Sequence, residues 1–197
     1  MEKLLAAGLV LALSGCGGGY DDMDAARAGM GGGIGSTVTK PTTPNNPNEK
    51  PNWQYSSVAE GNRVFSLSAT TYSINTYQRP DYPNLQGRPF VKLEKNQNRE
   101  GVITNDVAIF TDSNVSCMPS CDVRMSFDGQ WATYQMRHVI DGVIRPINES
   151  TSNSLFKKFT NSNRATVNLP IIGLSEPFGA NFDLSGYDMK QMKFISE

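Results

Sequence analysis

Beyond residue 53, apolar and polar residues alternate with a period of two, the signature of half-buried strands. Cys121, Val123, Met125 and Phe127 share one parity, with Asp122, Arg124 and Ser126 on the other. Ala165, Val167 and Leu169 alternate with Arg164, Thr166 and Asn168, and Pro170 ends that run. Phe178, Ala180, Phe182 and Leu184 repeat the pattern. Weaker alternation marks strands at Val64 to Thr71, Pro89 to Lys95, Val102 to Phe110 and Trp131 to His138. Asp128-Gly129 and Asp141-Gly142 read as hairpin turns, because both dipeptides tolerate positive φ. Strands at this spacing, with no long helices between them, predict a mainly β fold: an antiparallel β-sandwich. Two short helices are expected. Ser152 to Phe159 places Leu155 and Phe159 at i and i+4. Ser185 with Asp188 forms a capping-box-like start to a final helix that turns Met189, Met192 and Ile195 inward.

The first residues follow a different logic. Lys3 precedes an apolar run from Leu4 to Leu13. Ten helical residues span ~15 Å, about half of a hydrocarbon core, so the run reads as a signal-peptide segment and not a spanning helix. It ends in Leu13-Ser14-Gly15-Cys16. That tetrapeptide resembles the bacterial lipobox, whose cysteine is acylated, palmitate included, and becomes the new N-terminus. Several acyl chains at ~0.8 kcal/mol per buried methylene give a firm anchor. Gly17, where an Asp favours inner-membrane retention in such lipoproteins, points to the outer membrane. Residues 17 to 52 are rich in Gly, Pro, Asn and Thr and nearly free of core-forming side chains, so they read as a disordered tether. The expected organisation is a signal peptide over 1–15, a lipid-anchored tether over 16–52 and a β-sandwich domain over 53–197.

Composition narrows the function classes. The 197 residues carry 18 Lys+Arg against 19 Asp+Glu. Residues 53–197 hold 14 of each sign, so no basic footprint invites a nucleic acid. Cys16 is assigned to lipid, which leaves Cys117 and Cys121 as a pair. In an oxidising periplasm two cysteines facing across the Met118-Pro119-Ser120 turn are expected to form a disulfide. His138 is the one histidine, and Asp141 follows it without a neighbouring nucleophile. Asp122 and Asp128 bracket one strand about 20 Å apart, too far for a catalytic pair. No catalytic, cofactor-binding or metal-ligating residue is assigned, and no enzyme activity or cofactor is expected. Arg137, His138, Lys157, Lys158 and Arg164 would meet if the short helix lay beside the central strands. Trp53, Tyr55, Tyr72, Tyr77, Tyr82, Trp131 and Tyr134 are candidates for a recognition face.

The order of motifs in the later half carries a resemblance. Val123-Arg124 leads to Phe127-Asp128-Gly129, and Phe182-Asp183-Leu184-Ser185-Gly186-Tyr187 follows. This resembles a group of small bacterial envelope and phage-associated proteins that includes the VasI-type accessory proteins of type VI secretion. Arg88-Pro89-Phe90-Val91 fits the group's upstream motif, while Leu93-Glu94 stand where the group has a cysteine. The resemblance covers roughly residues 63 to 195 and implies an all-β envelope domain with no transferred catalytic residue. The function expected is that of an outer-membrane lipoprotein, held by its lipid and facing the periplasm, that binds an envelope protein as an accessory module. The alternative is an inhibitor, immunity or phage-exclusion lipoprotein that blocks an enzyme or receptor. An envelope hydrolase would require His138 gathered with acids or a serine in a concave site.

Overall fold

The structure, a computed structural model, describes residues 52–61 and 63–194. The apolar run, Cys16, the segment 17–51 and Ile195 lie outside the described residues. The elements are β1 (Gln54–Glu60), β2 (Arg63–Tyr72), β3 (Tyr77–Gln78), β4 (Gln86–Gly87), β5 (Phe90–Gln97) and β6 (Ile103–Phe110). There follow β7 (Ser120–Phe127), β8 (Gln130–Ile140), β9 (Val143–Pro146), α1 (Glu149–Asn161), β10 (Arg164–Leu169), β11 (Phe178–Asp183) and a 3-10 turn at Met189–Met192.

The antiparallel β architecture expected from the alternation is what forms. Nine strands make one continuous sheet in the order β1-β2-β5-β6-β9-β8-β7-β10-β11, and β3 and β4 form a separate ribbon. The sheet folds over its own core. Val91 and Leu93, Val107 and Ile109, Val123 and Met125, and Val167 and Leu169 all point inward and are fully or almost fully buried. Val123, Met125, Val167 and Leu169 sit on the parity that alternation sets apart as one face. Turn chemistry fixes the register. Asp128 (φ 48°) and Gly129 (φ 86°) adopt the left-handed pair that a two-residue hairpin needs. The Asp128 carboxylate also accepts the backbone N–H groups of Asn163 and Arg164 at 3.0 Å, so the β7–β8 turn ties down the start of β10. Gly142 (φ 71°) makes the β8–β9 turn, and a Cβ there would lie 2.4 Å from the Thr111 carbonyl oxygen.

α1 is longer than the Leu155–Phe159 spacing indicated. Asn148 caps it by accepting from the Thr151 N–H at 2.9 Å. It turns Leu155, Phe156 and Phe159 into the core, where the Phe159 ring meets Phe127 edge-on at 4.9 Å. The second helix differs from expectation. Gly186 has φ 79°, which no first helical turn accepts, so Ser185 cannot cap. The Ser185 hydroxyl instead donates to Asp183 at 2.7 Å. Asp188 caps a single 3-10 turn in which Met192 is buried and Met189 is exposed.

The two ends of the sheet meet. Ile74, just past β2, donates its N–H to the Asn181 carbonyl of β11 at 2.7 Å. Trp53, just before β1, donates its indole N–H to the Leu184 carbonyl at 3.0 Å. Tyr187 packs against the Trp53 ring at 5.2 Å and the Tyr55 ring at 6.2 Å.

Candidate interaction surface

In an antiparallel sheet the ends of β2, β6, β8 and β10 lie beside the starts of β5, β7, β9 and β11. Three loops gather at this end: residues 79–85 between β3 and β4, 111–119 before β7, and 170–174 after β10. Backbone bonds join the second and third, with Ser116 N–H on the Pro170 carbonyl at 2.7 Å and Ile172 N–H on the Asn114 carbonyl at 2.9 Å. Val115 and Ile171 form a single β-bridge. The first loop is held by Ser113, whose hydroxyl donates to Asp81 at 3.1 Å. Gly173 lets Pro80 approach to a distance no Cβ would allow, 2.6 Å from an ideal Cβ position.

Cys117 and Cys121 are bridged, with Cα atoms 4.7 Å apart. The geometry behind the bond differs from a facing hairpin. Cys121 lies in β7, whereas Cys117 lies in the loop and is buried in the core cluster. The bridge lifts the intervening Met118 outward, where it is 78% exposed. Tyr82 (58%), Leu85 (51%) and Ile172 (55%) are the other large apolar tips of these loops. The charges among them pair internally. The Arg79 guanidinium binds the Asp81 carboxylate at 2.7 Å and lies over the Tyr82 ring. Those hydrogen bonds hold the Asp81 carboxyl below its usual range, with Ser113 contributing.

An apolar row crosses the outer face at the same end. Tyr72 faces Phe90, Phe90 faces Phe110, Phe110 faces Val143 and Val143 faces Ile140. The Phe90 and Phe110 rings stack at 4.4 Å, and Tyr72 leans on Phe90 at 5.2 Å. Below the row, Arg145 bridges Asp106 and Glu94, and Lys92 pairs with Glu94 at 2.8 Å.

The remaining residues singled out in the sequence separate. Trp53 and Tyr77 are core residues. Burial raises the phenol of Tyr77, and likewise those of Tyr55 and Tyr134. Tyr72, Tyr82 and Trp131 are exposed. His138 is a half-buried residue of β8 with Asp141 4.0 Å away. The basic group does not assemble: α1 packs on β6 and β9, turning Lys157 and Lys158 to solvent, while Arg137 faces Arg145 and Arg164 faces Asp183. A shallow polar hollow of about 590 Å³ runs along α1 past Glu149, Asn153 and Lys157. Among the described residues no three His, Cys, Asp or Glu side chains come together as metal ligands would. Tyr82 is among the aromatic candidates of the sequence, whereas Leu85, Met118 and Ile172 carry no sign there because they sit in segments without periodicity. The short-spaced cysteines were the one local sign of a braced loop. Comparison with protein-family models, curated proteins and solved structures finds no match to this chain.

Proposed function

We propose that this chain is an outer-membrane lipoprotein whose β domain faces the periplasm and binds another envelope protein through its loop end. The apolar run closed by Leu13-Ser14-Gly15-Cys16 supports the anchor, and the segment 17–52 supplies reach from the membrane. The binding reading rests on one observation: four large apolar tips, Tyr82, Leu85, Met118 and Ile172, stand exposed on loops that are cross-bonded and braced by a disulfide. Loops held by a rigid scaffold are where binding residues concentrate. Large apolar side chains exposed on loops that are bonded together suit a contact site on a protein that is otherwise polar. Arg79 and Asp81 neutralise each other here, so the surface suits a weakly charged, apolar patch on a folded partner.

A photo-crosslinking residue placed at position 118 or 172 in cells tests this. Both positions are expected to yield the same adduct, lost on Leu85→Ser and absent when the crosslinker replaces Lys157 on α1. No adduct, or equal adducts from all three positions, would overturn the reading.

A further inference from the structure

The outer face of β7, β8, β10 and β11 has a chemistry of its own. Trp131 on β8 faces Ser126 on β7, Ser126 faces Thr166 on β10, and Thr166 faces Asn181 on β11. In neighbouring rows Thr133 faces Arg124, Gln135 faces Asp122 and Asn168 faces Gly179. Directly paired residues project to the same side of a sheet. All of these therefore stand on the side opposite Val123, Met125 and Val167, which are buried in the core.

Trp131 is the one aromatic in these rows, and it is 47% exposed. The chain's other tryptophan, Trp53, is buried and hydrogen-bonded, as large indoles ordinarily are. The Arg124 guanidinium sits 4.8 Å from the Trp131 ring centroid and steadies it. Around the indole lie hydroxyls, amides and the carboxylates of Asp122 and Asp183, a set that both donates and accepts. Thr166 Oγ1 donates to the Asn181 side-chain oxygen at 2.8 Å, which leaves the Asn181 amide nitrogen as a donor.

A protein partner would want an apolar centre of several side chains, and one indole does not supply it. A polyanion would want surplus positive charge, but Asp122 stands in the row beside Arg124, and Arg164 faces Asp183. A pyranose ring matches the face on both counts. Its C–H side stacks on an aromatic, and its hydroxyls exchange hydrogen bonds in both directions. The face is the outer side of four neighbouring strands, so it suits an extended chain of sugars more than a single enclosed one.

We infer that the outer face of β7, β8, β10 and β11 is a platform for an extended polysaccharide of pyranose rings. Trp131 is its stacking residue, with Arg124, Thr133, Gln135 and Asn181 around it. The platform is separate from the loop end and does not depend on it.

The test is co-sedimentation of the full-length chain, solubilised in detergent, with insoluble chitin, cellulose and purified peptidoglycan sacculi. Binding to at least one is expected and should survive high salt. Trp131→Ala should weaken it about tenfold or more. Gln135→Ala, which removes only an exposed amide, should weaken it about threefold. Melting curves of both variants should match the parent. Met118→Ser at the loop end should leave sedimentation unchanged, so a failure here is separable from a failure of the loop-end reading. No binding to any of the three polymers would overturn the inference. So would binding that salt abolishes or that Trp131→Ala leaves intact.

Discussion

Asn75 completes the sheet for Asn181. Its side-chain oxygen accepts the Asn181 backbone N–H at 2.8 Å, and its side-chain amide donates to the Gly179 carbonyl, also at 2.8 Å. One amide side chain thus does for β11 what a neighbouring strand would do, and the Ile74 N–H adds a third bond beside it. An edge strand left bare would expose a row of unpaired backbone groups.

Substituting Asn75→Ala removes a donor and an acceptor together. Two lost hydrogen bonds to a part-buried edge should cost about 1–3 kcal/mol. Denaturant unfolding should show a lower midpoint at unchanged slope. A midpoint within error of the parent would mean that water replaces the amide at no cost.

The cluster of Trp53, Tyr55 and Tyr187 predicts an alkaline limit to stability. Burial pushes the Tyr187 phenol far above its usual range, with Tyr55 and Asp188 adding repulsion to the charged form. Burial also raises Tyr55, although the Asp188 N–H that donates to its hydroxyl works the other way. A phenol whose folded-state pKa is raised contributes stability that is complete below the unfolded value near 10 and is lost as pH climbs past it. Absorbance titration should therefore show a group of tyrosines that ionises only as the protein unfolds, above pH 10. Tyr187→Phe should flatten the alkaline fall in stability. An unchanged alkaline profile in that variant would assign the limit to other groups.

The disulfide encloses few residues. In the chain-entropy estimate a loop this short contributes about 2 kcal/mol. Cys117→Ser with Cys121→Ser should lower stability by about that amount while leaving the sheet folded by circular dichroism. The intact parent should resist alkylation until reduced. A reactive Cys117 or Cys121 thiol in material taken from the periplasm would contradict the disulfide.

Anchoring is the most direct check on the proposed location. Cys16→Ala should release the protein from membranes or leave its signal peptide uncut, as read by detergent partitioning and intact mass. Processing and partitioning identical to the parent would remove the lipoprotein reading.

Alternation was enough to read β2, β5, β6, β7, β8, β10 and much of β11 from the residues alone. A strand with one buried face writes that face into every second residue, so the information is local. Both Asp-Gly turns were legible for a similar reason, since positive φ narrows the choice of residue. β1 was not legible, because Gln54-Tyr-Ser-Ser-Val-Ala-Glu60 is mostly polar and lies at the edge of the sheet. β9 was missed because four residues are too few to show a period. The capping motif at Ser185 misled for a physical reason: Gly186 permits a left-handed turn that the pattern cannot express. What the chain determined by itself was the class of fold, the parity of β7, β10 and β11 and the pairing of its two later cysteines. Tertiary structure alone decided the rest. Residues 75 and 181, or 81 and 113, meet only when the sheet curls. The exposed apolar tips share one end, and the polar rows around Trp131 share one face, because strand order brings together segments that no local pattern connects.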